Sequence, residues 1–171
     1  EWSKELGEHL KMEEIDELFV CGLLHNIGQL VTMQYFRPQQ VLLEELIAGG
    51  RKPLDAEKTL LGGTHADIGG FLFALWQMPK ETIQCTMYHH HDLRLLVTMP
   101  NLSRNVAIVH MAAAICDIDP NLDAYGYSEQ METIGTRYDQ MLNVNLGTDI
   151  ETIAARVDAN YGNLLSAFTD R

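Results

Sequence analysis

Positive charge is scarce in this chain. Its 171 residues hold 12 Lys and Arg against 24 Asp and Glu, a formal net charge of −12. That deficit excludes a broad surface tracking a nucleic-acid backbone or an anionic membrane. Arg51, Lys52 and Lys58 cluster in sequence, but three cations in a polar connection read as solvated surface. Long apolar runs are missing too: none approaches the ~20 residues a transmembrane helix needs, and residues 1–20 are too charged for a secretory signal. The expected location is therefore cytoplasmic. Cysteine is limited to Cys21, Cys85 and Cys116, each among apolar neighbours and none in a C-x-x-C pair. Reduced, buried thiols are the expectation, and a disulfide framework or a thiolate metal site is not. Alternating apolar runs, internal repeats and low-complexity linkers are also lacking, which leaves no convincing strand.

What remains is helical periodicity. With 46% apolar content the chain can bury a sizeable core, and its length fits one domain over residues 1–171. Phe19, Leu23, Ile27 and Leu30 recur at the helical period and predict one helix from about Glu13 to Tyr35, which Pro38 does not continue. Val41 to Ala48 predicts a second, closed by Gly49-Gly50. Thr64 with Asp67 three residues on is a capping box opening a third, with Leu72, Leu75 and Trp76 as its apolar face. Further helices are expected over about Lys80 to His91, with Ile83, Met87 and His90 aligned, and from Ser103 to about Ile118 through Val106, Val109, Ala113 and Cys116. Two more follow, over about Ser128 to Leu142 and from a Thr148/Glu151 capping box through Ile153, Val157, Tyr161, Leu164 and Phe168. The expected fold is all-α, an irregular multi-helix bundle.

Seven histidines occur, and His25, His65, His89 and His90 lie in these apolar helices or at their ends. A lone histidine in such a place is usually a core residue satisfied by one hydrogen bond. Several from different helices can instead converge as a metal site, since neutral imidazole is the commonest metal ligand. Successive helical positions differ by about 100° in direction, so at most two of His89, His90 and His91 face one pocket. His91, beside Asp92, is the one expected in solvent. The weak point is acidity. A hydrolytic divalent centre needs anionic oxygen ligands, and the residue after His25 is Asn26, a neutral and weaker ligand that cannot bridge two ions.

The run Gly22-Leu23-Leu24-His25 followed by Ile27-Gly28, then Glu57 with Leu61-Gly62-Gly63-Thr64-His65-Ala66-Asp67-Ile68-Gly69, then Trp76-Gln77-Met78-Pro79 and the His89-His90 pair ten residues after that proline, resembles the HDOD family. That family is a degenerate relative of the HD-superfamily metal-dependent phosphohydrolases, found in bacterial signalling proteins. The resemblance implies a helical domain of the HD-domain/PDEase-like type, lacking its N-terminal part here, used for signal output or regulation. It implies His25, Asn26, His65, His89 and His90 as vestigial metal-site residues. Three departures separate this chain from catalytic relatives. Asn26 replaces the acid of the His-Asp pair, Ala113 stands where a later helix would carry an aspartate, and an early histidine is unplaced, with His9 too near its helix end to substitute.

The expectation is thus a regulatory output domain without catalytic residues, acting by binding a signalling protein, an attached sensor or effector domain, or a small phosphorylated ligand. No cofactor is expected, beyond a divalent metal at low occupancy. The alternative is a metal-dependent phosphohydrolase or phosphodiesterase acting on a nucleotide. Nucleic acid and membrane are not expected partners.

Overall fold

The computed structural model of the chain describes residues 1–96, 98–99, 104–119, 121–142, 144, 146 and 149–169. Among them every regular element is helical: α1 (Trp2–His9), α2 (Ile15–Leu24), α3 (Ile27–Tyr35), α4 (Arg37–Ala48), α5 (Pro53–Leu61), α6 (His65–Leu75), α7 (Lys80–Tyr88), α8 (Leu93–Leu96), α9 (Arg104–Cys116), α10 (Ala124–Leu142) and α11 (Ile150–Thr169). No helix among the described residues is long and apolar enough to cross a membrane.

The bundle is organised around α9. Its residues Val106, Ala107, Ile108, Val109, Met111, Ala112 and Ile115 are all buried, so apolar side chains leave this helix in nearly every direction. A helix apolar all round belongs in the middle of a core. It is surrounded by Leu6 of α1, Leu18 and Cys21 of α2, Cys85 of α7, Met131, Ile134 and Tyr138 of α10, and Ile150, Ile153 and Val157 of α11. A second layer is formed by α3 on α6, α6 on α7 and α4 on α5. The α3–α6 crossing is tight because Gly28 has no side chain: a Cβ there would stand 1.8 Å from the His65 carbonyl oxygen and 2.9 Å from the Gly69 nitrogen. Backbone therefore packs on backbone beside the histidines.

The expected all-α bundle is what the chain forms, and several local expectations need correction. The single helix over 13–35 is two helices, because the chain leaves helical geometry at Asn26 (φ −96°, ψ 14°), which caps α3. The break changes the phase, so Leu23 (68% exposed) and Leu30 (62%) face outward while Leu18, Cys21, Gly28 and Thr32 are buried. On α6 the buried face is His65, Ala66, Gly69, Gly70 and Phe73, and the expected Leu75 and Trp76 are exposed, since α3 and α7 both approach the glycine side. The predicted end at Tyr35 holds, and Pro38 then opens α4, its fixed φ suiting a first helical turn. The helix α5 was not anticipated. Cys116 and Tyr161 are exposed, unlike Cys21, Cys85, Ile153 and Val157, so one of the three thiols is not a core residue. The capping expectations at Ser103 and Thr148 fall outside the described residues, as do the side chains of Leu164 and Phe168.

Candidate metal centre

The site starts from the turn between α5 and α6. Gly62 closes α5 in the left-handed region (φ 77°), and Thr64 then caps α6 in a full capping box: its Oγ1 accepts from the Asp67 N–H at 3.2 Å, and Asp67 Oδ2 accepts from the Thr64 N–H at 2.8 Å. Burial alone would raise the Asp67 carboxyl, but these Thr64 hydrogen bonds outweigh it and hold its pKa low. The reversal sets His65 against Glu57, one helix back. Glu57 accepts from the His65 backbone N–H at 2.8 Å and from its ring Nδ1 at 2.9 Å. Here too burial pushes the carboxyl up and the His65 hydrogen bonds bring it below its ordinary value.

That contact decides the state of the ring. A carboxylate only accepts, so His65 carries a proton on Nδ1, and its Nε2 is the nitrogen left to face the other histidines. Two other histidines are prepared the same way. The Nδ1 of His25 donates to the Gly22 carbonyl and that of His89 to the Thr86 carbonyl, each at 2.7 Å. The rings then meet: His25 and His89 centroids are 4.8 Å apart, His65 and His90 5.0 Å, His65 and His89 5.5 Å, and His89 and His90 4.1 Å. One ligand atom from each of His65, His89 and His90 lies within 4.8 Å of the others. The Nε2 atoms of His65 and His89 and the Oδ1 of Asn26 are buried without a hydrogen-bond partner.

Burial and the neighbouring imidazoles favour the neutral form of His25, His89 and His90. Burial, then the proximity of His90 and His25, pushes His89 down to about 2. Burial and His65 push His90 down to about 4, and burial lowers His25. Neutral rings with bare lone pairs are what a metal requires of histidine. Unsatisfied buried nitrogens converging on one point fit a single divalent ion that accepts imidazole, of the zinc, nickel or copper type. They do not fit a pair of hard, oxygen-loving ions, because no carboxylate belongs to the converging group among the described residues. When bound, such an ion would supply Lewis acidity.

The structure thus brings His65, His89 and His90 to one point, with the His25 ring against His89, while Asn26 borders a cavity with His25 and His90. The other histidines stand apart. His9 Nε2 lies 3.3 Å from Asp149 Oδ2, and His110 Nε2 donates to the His91 carbonyl at 2.6 Å while its Nδ1 meets the Tyr138 hydroxyl. His91, expected in solvent, is half-buried and packs edge-on to Tyr88 with centroids 5.0 Å apart, because the chain after α7 folds back over α9.

Two cavities flank the cluster. One, of about 580 Å³, is bordered by His25, Asn26, His90, Ala113 and Asp117, with Trp2, Phe19, Leu23 and Tyr161 forming an apolar wall. The other, of about 540 Å³, is bordered by His89, His90, His91, Arg94, His110, Ala113, Asp117 and Arg137. They share His90, Ala113 and Asp117. Two carboxylates matter here that sequence reasoning gave no role. Glu57 stood in the motif without a function, and its signal was the eight-residue interval to His65 across a glycine turn. Asp117 went unnoticed one turn after Ala113, although that spacing puts both on one helix face.

Comparison with known proteins agrees with this fold. A protein of Treponema pallidum (strain Nichols), named only as uncharacterized, is 31% identical over 104 residues, 60% of this chain and 20% of that protein's length. The crystal structure of a protein from Shewanella amazonensis SB2B, named as a candidate phosphohydrolase, superposes with a TM-score of 0.68 at 23% identity over 90% of this chain and 55% of that one. At that identity the likeness shows the fold alone, and this chain spans about half of the neighbour and a fifth of the Treponema protein. The HDOD domain model matches residues 1–92, the segment that contributes His25, Asn26, Glu57, His65, His89 and His90. The chain belongs to the HDOD domain family.

Proposed function

We propose that this domain is a signalling or regulatory output module that acts by binding and does not hydrolyse a substrate. The observation that carries the reading is the ligand set: the side chains that converge at the centre are the imidazoles of His65, His89 and His90, with Asn26 and Ala113 where the resemblance places the acids of a catalytic relative. Without a carboxylate to bridge two ions, a site of this kind lacks the two-metal clamp that stabilises the attacking and leaving oxygens of an in-line displacement. A second observation supports binding. Leu30, Met33 and Tyr35 of α3 and Trp76 at the end of α6 are exposed around one shallow depression, an apolar surface of the sort that a protein partner or an attached sensor or effector domain covers. The cavity bordered by Arg94, His110 and Arg137 is the place for a small phosphorylated ligand. A cytoplasmic setting accords with three unpaired cysteines.

The competing reading is a metal-dependent phosphohydrolase, favoured by the convergence of His25, His65, His89 and His90. An assay on cyclic dinucleotides, nucleotides and generic phosphodiesters, with added divalent metals, separates the two. The expected result is no turnover above a blank for the wild type. Hydrolysis that disappears with chelator and with His65→Ala would establish the enzyme.

A further inference from the structure

The larger of the two cavities is built mostly from parts that the histidine cluster does not use. Its volume of about 580 Å³ is within the ~300–1,000 Å³ typical of small-molecule sites, and α1, α2, α9 and α11 enclose it. Three aromatic rings from three of those helices border it: Trp2, Phe19 and Tyr161. Leu23 and Val157 add aliphatic surface. Leu23 is 68% and Tyr161 57% exposed, so much of this apolar wall still faces water. Apolar surface gathered around a hollow of this size marks a place where an apolar molecule gains by burial.

Charge narrows the class of occupant. Asp117 and Asp158 border the same cavity, and no lysine or arginine side chain does. Neither carboxylate belongs to an ion pair among the described residues. Asp158 lies three positions before Tyr161 on α11, so its carboxylate and the ring share one helix face. At the inner end, His25 and His90 have pKa values lowered chiefly by burial and bring no positive charge at neutral pH. Asn26 adds a buried Oδ1 without a hydrogen-bond partner. Acids, an amide oxygen and aromatic faces therefore converge with no cationic side chain to answer them. An anion entering here meets two carboxylates, whereas an ammonium group meets them together with the negative faces of the rings. The second cavity differs, because Arg94 and Arg137 border it.

We propose that the cavity between α1, α2, α9 and α11 is a binding site for an apolar organic cation, an amine or quaternary ammonium group carried on a hydrophobic body. The body packs on Phe19, Leu23 and Val157. The charged head lies against the rings of Trp2 and Tyr161, with Asp117 and Asp158 as counter-charges. Binding here is independent of whether the domain turns over any substrate and of what the arginine-bordered cavity holds.

Trp2 is the reporter, since it borders the cavity. The chain has two tryptophans, and Trp76→Phe, at an exposed position, leaves Trp2 as the only indole. Three probes share one ring and differ in the charge of the head: benzyltrimethylammonium, benzyl alcohol and benzylphosphonate. The ammonium changes Trp2 fluorescence saturably and binds at least about tenfold more tightly than the alcohol, and the phosphonate does not bind. Asp158→Asn and Asp117→Asn each weaken ammonium binding by about threefold or more and leave the alcohol unchanged. Asp119→Asn, at an exposed acid that does not border the cavity, changes neither. Circular dichroism confirms equal folding. Should an acid variant fail to fold, salt decides in its place: ammonium binding that weakens between about 50 and about 500 mM sodium chloride supports the site, and binding that does not weaken overturns it. No saturable response to the ammonium, an alcohol or phosphonate that binds equally well, or either folded acid variant with wild-type ammonium affinity also overturns it.

Discussion

Removing the Glu57 side chain should destabilise this domain more than any change at an exposed acid. Glu57 is 8% exposed, and its carboxylate is the acceptor for two donors of His65, the backbone N–H and the ring Nδ1. His65 is itself 2% exposed, so neither donor has water to turn to. Each stranded buried donor costs roughly 1–3 kcal/mol, and the two share one acceptor group, which puts Glu57→Ala at about 2–5 kcal/mol. In a chain of this length that corresponds to a fall in melting temperature of roughly 5–15 °C. Glu57→Gln keeps one acceptor oxygen and should fall near the low end, about 1–2 kcal/mol. Glu44→Ala, on the exposed side of α4, should stay within about ±0.5 kcal/mol. Urea denaturation followed by circular dichroism, with the slope checked for constancy, gives the three values. If Glu57→Ala unfolds at the wild-type midpoint, the His65–Glu57 contact contributes nothing and the account of how the ring is oriented fails.

Gly28→Ala forces a methyl against the His65 carbonyl, which belongs to the backbone and cannot rotate away, so a loss of about 3 kcal/mol is expected; Gly70→Ala meets only the flexible Met87 side chain at 2.0 Å and should cost ~1 kcal/mol, and equal midpoints would contradict the close crossing of α3 and α6. Stability should fall with acid in a defined window. Folded His89 titrates at about 2 and an unfolded histidine near 6.5, so the unfolded chain binds the extra proton between these values, and stability is lost as pH drops below about 6.5. By pH 5 this one ring accounts for ~2 kcal/mol, in metal-free protein, and His89→Gln should remove that part of the slope; a variant with the wild-type slope would refute it. Glu57, held low by His65, adds a further loss only below the ordinary carboxylate range.

Much of the site was legible because histidine is rare and its spacing carries information. The three motif segments around His25, His65 and His89-His90 do meet, and the Thr64–Asp67 cap forms as its four residues predict. What was not legible has specific causes. The period of Phe19, Leu23, Ile27 and Leu30 runs unbroken through His25-Asn26, so nothing in it announces the break that turns Leu23 and Leu30 outward. Hydrophobicity alone cannot tell a core face from an exposed apolar face, which is why Leu75 and Trp76 were misplaced and the glycine side of α6 was overlooked. Asp117 was hidden by a convention of register: a position-by-position match finds alanine at 113 and stops, although a helix offers the same direction again one turn later.

The half-buried Ala113 at the junction of two cavities bears on how firmly the loss of the acid is set. Around a core position that loses a side chain the neighbours relax only partially, and how far they close in decides whether the larger residue still fits. Here the space remains open, and Asn26 keeps the outline of the aspartate it replaces, with its Oδ1 unpartnered. Alanine and asparagine each lie a single-base change from aspartate in the genetic code. The path back to an acid-bearing centre is therefore short and sterically unobstructed, so a lineage built on this domain can gain or lose the acids without rebuilding the bundle around them.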